Sequence, residues 1–369
     1  MISIETMTEM PREFTRTALP GRVVFGQGAL AKLGSELDDR GVARAMVIVA
    51  ARDANLAALA ASSLGARVAL TWTEVAQHVP VELAARATAS ALEAGADVLV
   101  TIGGGSTTGL GKAVAVETKL PLVVVPTTYA GSEMTPIYGL TSDSRKRTAR
   151  DAHALPQLVI YDPRLLASLP PGVVGPSALN ALAHCAEALW AVNRDPVNDA
   201  IALDGAWRIH EYLPAAYSGD DLGARGQVLL GASMAGTALA TAGTSLHHAL
   251  CHLLGGMFDA PHAETHAILL PYVIGFLRPA IGEPITRLAS SLRVAGEQLE
   301  REIWALAQSV GTPRGLREIG LDETQVERAT SAAVEMGLSS PRELDVRELG
   351  AWMSAAWTGD PPSDRVAEP

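Results

Sequence analysis

The sequence predicts an α/β N-terminal domain built on a parallel sheet and an all-α C-terminal helical domain, with a cleft between them. Three observations carry this prediction. The chain has 369 residues, beyond the size at which a single hydrophobic core normally keeps growing. From residue 22 to about 162, short β-rich runs alternate with Ala-rich helical stretches, the order that specifies a parallel sheet covered on both faces. After Asp162 and Pro163 the strand signals stop, and Ala/Leu-rich segments broken by Pro or Gly run to about residue 357.

The expected strands are Ala45 to Ala50, Ala66 to Trp72, Asp97 to Ile102, Leu122 to Pro126 and Leu158 to Tyr161, each a short β-branched or aliphatic run. Between them Ala29 to Asp38, Asn55 to Leu64, Val81 to Ala94 and Thr108 to Glu117 have helical composition and length, with Asn55 and Thr107 or Thr108 placed to cap two of them. Pro163, Pro170, Pro171 and Gly172 mark the change of texture. They divide the chain into an α/β domain at 1–165, a helical domain at 166–358 and a Pro-rich, polar tail at 359–369 that is expected to fray.

Composition excludes several functions. With 48% hydrophobic and 19% charged residues the chain has enough apolar material for large cores. A formal net charge of -11 argues against a nucleic-acid partner, which needs clustered Lys and Arg. Glu5, Glu9 and Glu13 interrupt the first twenty residues, so neither a signal peptide nor a membrane span is expected and the cytoplasm is the expected location. The two cysteines, Cys185 and Cys251, are too few for a disulfide framework and read as reduced, buried small hydrophobes.

Val98 to Ile102 runs straight into Gly103, Gly104, Gly105 and Ser106, and a helical stretch follows. A strand, a glycine turn and a helix start expose backbone N–H groups at the positive end of a helix dipole, an arrangement that suits a pyrophosphate. Thr107 adds a hydroxyl. Glycine turns also serve close packing, so the next strand matters: it ends in Thr127, Thr128, Tyr129, Ala130, Gly131 and Ser132, and hydroxyl-rich loops at the carboxyl ends of adjacent strands are where open α/β sheets bind nucleotides. The G-x-G-x-x-G fingerprint is absent.

Five of the nine histidines, His247, His248, His252, His262 and His266, fall within twenty residues. On a helix His248 and His252 share a face, as do Asn180 and His184 on an earlier one. Two such pairs can converge on one point, and His262 follows the turn-forming stretch Gly255 to Pro261, which can aim it back at the same pocket. His78 and His153 lie outside the cluster.

GGGS at 103–106, PTTYAGSE at 126–133, YDP at 161–163 and the spaced His184, His248, His252 and His262 together resemble the iron-containing alcohol dehydrogenase superfamily over nearly the whole chain. The resemblance implies its architecture, shared with dehydroquinate synthase: a Rossmann-like dinucleotide domain, a helical domain and an active site between them. In metal-dependent members an Asp and three His hold a divalent ion, and the matching positions here are Asn180, His184, His248 and His262. The carboxylate is gone, so a bound dication would keep its full charge in a buried site. Gly109 stands where many members carry an Asp that helps place the cofactor; Lys112 matches.

The segments ALNALAHCAEALW, AQHVP at 76–80, KRTARD at 146–151 and HAETHAILLP at 262–271 are similar to those of the maleylacetate reductases within that superfamily. That branch implies NADH or NADPH as cofactor, no required metal, reduction of 2-maleylacetate to 3-oxoadipate in aromatic-compound degradation, and a homodimer. Residues expected at the cofactor are Gly103, Gly104, Gly105, Ser106, Thr107, Thr127, Thr128, Ser132 and Lys146. His252 or His248 is expected to stabilise charge on the substrate oxygen, with His184 and His262 completing the pocket and Asn180 bonding substrate. Arg147, Arg150, His78 and Tyr129 are the candidates for the rest of the substrate, the two arginines lying on an expected surface loop. The alternatives are a metal-dependent alcohol or polyol dehydrogenase using the Asn180 site, a sugar-phosphate synthase-like lyase, and a nucleotide-binding sensor that kept the fold without the chemistry.

Overall fold

The computed structural model describes residues 14–19, 21–142, 145–219 and 221–362. Glu5, Glu9 and Glu13 lie outside these residues, as does the tail from 363 onward.

The N-terminal part runs β1 (Arg22–Phe25), α1 (Leu33–Asp38), β2 (Ala45–Ile48), α2 (Ala54–Leu64), β3 (Val68–Trp72), α3 (Val81–Glu93), β4 (Val98–Gly103), α4 (Gly105–Thr118), β5 (Leu122–Pro126), β6 (Ile137–Ser142), β7 (Arg145–Arg150) and β8 (Leu158–Tyr161). Six of these strands form one sheet in the order β1-β8-β5-β4-β2-β3, parallel throughout. The central strands β4 and β5 are buried along their whole length, as their unbroken aliphatic runs require. Alternation sorts the side chains between the two faces: Val47, Val98 and Val100 pack with α1 and α2, whereas Met46, Ile48 and Leu99 pack with α3 and α4.

Three local expectations need correction. The segment from Ala29 opens as a 3-10 turn, Ala29–Lys32, before α1 begins. Asn55 sits inside α2, and Thr107 and Thr108 sit inside the first turn of α4; the N-caps are Asp53 and Gly104, neither with a side-chain cap hydrogen bond. The stretch carrying Arg147 and Arg150 is not a loop but β7, paired antiparallel with β6 in a two-stranded ribbon.

The C-terminal part is helical: α5 (Pro171–Ala188), α6 (Pro196–Ser218), α7 (Leu222–Ala242), α8 (Leu246–Phe258), α9 (His262–Leu277), α10 (Gly282–Leu292), α11 (Leu299–Ser309), α12 (Glu323–Glu335) and α13 (Val346–Thr358). Helices α5, α6, α7 and α9 surround a large Ala/Leu core. Between α7 and α8 the chain turns by 97° at Gly243 to Ser245, which points the start of α8 at α5. No single described helix is long and apolar enough to cross a membrane. Cys185 and Cys251 are both free and buried, and burial pushes both thiols up.

Candidate active site

The two hydroxyl and glycine loops meet at the carboxyl edge of the sheet. Gly103 is in register with Pro126, and the Thr127 N–H donates to the Gly103 carbonyl at 3.0 Å. The glycines there serve two purposes. A Cβ on Gly103 would sit 2.5 Å from Thr107 Oγ1, and one on Gly104 2.9 Å from Thr128 Cγ2, so close packing demands both. Gly105 is exposed at the first turn of α4 with no atom nearer than 3.9 Å to its Cβ position. The uncapped start of α4 thus offers backbone N–H groups with open space in front of them.

Ser106, Thr127 and Thr128 are half-buried around that opening. Thr107 is buried, its Oγ1 and Cβ packed beneath Gly103. The Ser132 hydroxyl is buried without a partner, and its carbonyl accepts from Lys112 Nζ at 2.5 Å. Lys112 is itself buried and also donates to the Thr135 and Ile137 carbonyls, so it pins the 132–137 segment; burial pushes its ammonium down to about 7 against the opposing pull of Glu133. Beside Gly109, Val79 fills the neighbouring space: a Cβ at Gly109 would lie 3.2 Å from Val79 Cγ2.

Helices α5, α8 and α9 bring six imidazoles together. Ring centroids are 4.9 Å apart for His184 and His248, 4.5 Å for His248 and His266, 4.4 Å for His262 and His266, 5.7 Å for His252 and His262, and 6.2 Å for His248 and His252. His247 Nε2 lies 2.9 Å from His266 Nδ1. Burial is graded: His247 and His266 are fully buried, His248 and His184 nearly so, His262 half-buried and His252 exposed. Asn180 Oδ1, His184 Nδ1, His248 Nε2 and His266 Nε2 are buried atoms without hydrogen-bond partners. With His247 Nδ1, five orphaned polar atoms in one cluster mark a site shaped for a polar ligand, because each otherwise costs ~1–3 kcal/mol.

Sequence reasoning missed Glu187. It lies on α5 three residues after His184 and is fully buried. Its carboxylate accepts from the His247 N–H at 2.7 Å and from the His248 N–H at 3.4 Å, and it contacts His248 Nδ1. Burial pushes its carboxyl upward, but His248, His247 and the Ser245 backbone together outweigh that and hold it below its ordinary value. The only sequence signal is one-turn spacing from His184.

The substrate candidates fare differently. His78 has a left-handed backbone (φ 61), as does the neighbouring Val79 (φ 43), and its Nε2 lies 3.9 Å from Asp259 in the turn that precedes His262. Such strain in a β-branched residue is rare and clusters at functional clefts. Tyr129 lies instead in the helical core, its hydroxyl buried and unpartnered, with burial pushing the phenol up. Arg147 and Arg150 sit three apart on β7 and so point to opposite faces of the ribbon. Arg150 Nη2 donates to the Ala240 carbonyl at 2.8 Å. They do not form a pair. Lys146 joins the ribbon through its backbone; its side chain lies outside the described atoms.

Residues 20–163 match the family model for iron-containing alcohol dehydrogenase, and residues 176–357 match that for the Fe-containing alcohol dehydrogenase family, C-terminal. The chain is 42% identical to a maleylacetate reductase of Burkholderia cepacia over 343 residues, 93% of this chain and 97% of the relative. It is 39% identical to that of Rhizobium sp. strain MTP-10005 over 350 residues, 95% and 99% of the two. This chain belongs to the iron-containing alcohol dehydrogenase family. Within the family it stands among the maleylacetate reductases and is an oxidoreductase. The crystal structure of maleylacetate reductase from Agrobacterium tumefaciens shares its fold with a TM-score of 0.90 at 38% identity, covering 95% of this chain and all of that one.

The residues at the matching positions offer no charge to offset the metal implied by the family name. Asn180 brings a neutral amide where a carboxylate would offset charge. Among the described residues, the one set of three His, Cys or carboxylate ligand atoms within 4.8 Å of one another is His247, Cys251 and His266, which are not the positions that match the family's ligands.

Burial depresses His184 and His266 well below the usual imidazole range and holds His247 at about 3. Their neutral forms belong to the folded state, whereas the unfolded chain takes up protons below its ordinary value of 6.5. Stability is therefore fully present above 6.5 and is expected to fall as pH drops from 6.5 toward 3. Denaturant unfolding across that window tests this; a flat stability would contradict neutral burial.

Proposed function

We propose that this enzyme reduces the C=C bond of 2-maleylacetate to give 3-oxoadipate, using NADH or NADPH and no metal, in the breakdown of aromatic compounds. The observation that carries the reading is the six-imidazole cluster with its orphaned polar atoms, in a chain about 40% identical to maleylacetate reductases along nearly its whole length.

The α4 start, with Gly105 and Ser106, and the Thr127–Thr128 loop fit a dinucleotide, and when bound the nicotinamide supplies a hydride. The substrate has its double bond conjugated to a ketone. Hydride arriving at the alkene carbon remote from the ketone drives negative charge onto the ketone oxygen. His248 Nε2, nearly buried and unpartnered, stabilises that oxygen by a hydrogen bond and keeps its proton, and such a preorganised donor contributes ~10²- to 10³-fold in rate. His252, exposed at the outer end of the cluster, delivers a proton to the carbon beside the ketone and recovers one from solvent. The Asn180 amide bonds substrate.

Mixing the metal-stripped protein with maleylacetate and NADH, then NADPH, tests the reading: loss of reduced-nicotinamide absorbance is expected, and none with either cofactor would defeat it. The missing charge at Asn180 has its own test. Asn180→Asp is expected to raise bound iron or zinc, read by elemental analysis of the purified variant; metal content equal to the parent's would show that the amide is not what weakens the site.

A further inference from the structure

The proposed reaction leaves Glu187 unused, although it is the most buried carboxylate in contact with the imidazole cluster. Its position follows from helix geometry: three residues beyond His184 on α5, it projects from nearly the same face and meets the first turn of α8. Ser245, the N-cap of α8, makes no side-chain cap hydrogen bond. Glu187 takes over that duty from another helix, Oε1 accepting from the His247 N–H and Oε2 from the His248 N–H.

The same Oε2 contacts His248 Nδ1. One carboxylate thus grips both the backbone and the ring of one histidine. The Nδ1 edge is turned back toward α5, and the Nε2 edge is left facing the cluster, where it has no partner. A carboxylate behind an imidazole fixes both ring orientation and tautomer, since the nitrogen that meets it must carry a proton. It also sets a negative charge directly behind the ring whose Nε2 edge faces the cluster.

We propose that Glu187 is a positioning residue for reduction, holding the His248 ring so that Nε2 is presented to the substrate oxygen. This rests on the reductase reading, which assigns that oxygen to His248. Position 180 carries an amide, and the carboxylate stands two turns further along the same face of α5, set behind an imidazole rather than on an ion.

Glu187→Gln tests it. Gln has nearly the same volume and an oxygen for one α8 N–H, but it cannot accept from both amides and the ring. Turnover is expected to fall about 10- to 100-fold with the KM for maleylacetate and the affinity for NADH retained. The primary isotope effect from deuterated nicotinamide is expected to increase, because the hydride step loses its stabilising partner. Unchanged kcat would overturn the proposal, and so would a parallel loss of kcat, substrate affinity and thermal stability, which would mark Glu187 as a helix cap alone. Proton NMR of the ligand-free protein gives a readout independent of turnover: the parent should show a strongly deshielded His248 Nδ1 proton that Glu187→Gln lacks. Absence of that proton in the parent overturns the ring placement. If the parent shows the proton but turns over no maleylacetate, the substrate reading fails while the Glu187–His248 arrangement stands.

Discussion

His252→Ala is expected to fold as the parent does and to lose turnover by ~10²- to 10⁴-fold, the usual contribution of a positioned acid. The ring is exposed, so its removal opens no cavity in the core and leaves Glu187 and His248 in contact. It lies 5.7 Å from the His262 ring and 6.2 Å from that of His248, at the solvent end of a cluster whose inner members are buried. Among these imidazoles it is therefore best placed to exchange protons with water during turnover. The glycine and hydroxyl loops at the ends of β4 and β5, proposed to hold the dinucleotide, do not depend on it, so cofactor affinity should be retained. Steady-state turnover together with a cofactor titration measures both, and a variant with parental kcat would remove His252 from the mechanism.

Much of this site was legible because imidazoles are rare and helical spacing is regular. The pairs Asn180–His184 and His248–His252 predict shared faces, and the structure brings α5 and α8 together so that the His184 and His248 rings stack. The gathering of His247 and His266 behind them depends on the 97° turn before α8 and on the return of α9. No periodicity encodes those angles. Glu187 was invisible for a related reason: a Glu near the end of a helix normally reads as solvated, and only tertiary packing reveals that the α8 amides take the place of water. In the sheet, long aliphatic runs announce the central strands, whereas the β6–β7 ribbon is polar along one strand and lacks the alternation of a half-buried pair. Thr107 packs beneath the glycine turn, and a hydroxyl at a helix start looks alike in sequence whether it packs there or faces outward.

Gly236→Ala is expected to weaken both the fold and the cofactor site, because α7 touches the Thr127-to-Pro136 segment backbone to backbone. A Cβ at Gly236 would lie 2.0 Å from the Gly131 carbonyl oxygen and 3.0 Å from Met134 Cβ. Gly131 has a left-handed backbone (φ 72), and its own Cβ would meet the Ala232 carbonyl at 2.8 Å, so neither surface has a flexible side chain that could yield. The segment cannot simply retreat. On its far side Lys112 holds the carbonyls of Ser132, Thr135 and Ile137, and Glu133 accepts from the Tyr161 hydroxyl at 2.7 Å. A single methyl must therefore displace either the helix or the loop that carries Thr127 and Thr128. Overpacking of this kind costs ~1–3 kcal/mol, and a displaced loop should raise the KM for the reduced nicotinamide more than that for maleylacetate. Thermal unfolding and cofactor kinetics read the two effects separately. A variant with parental Tm and parental cofactor KM would mean that α7 does not set the position of this loop.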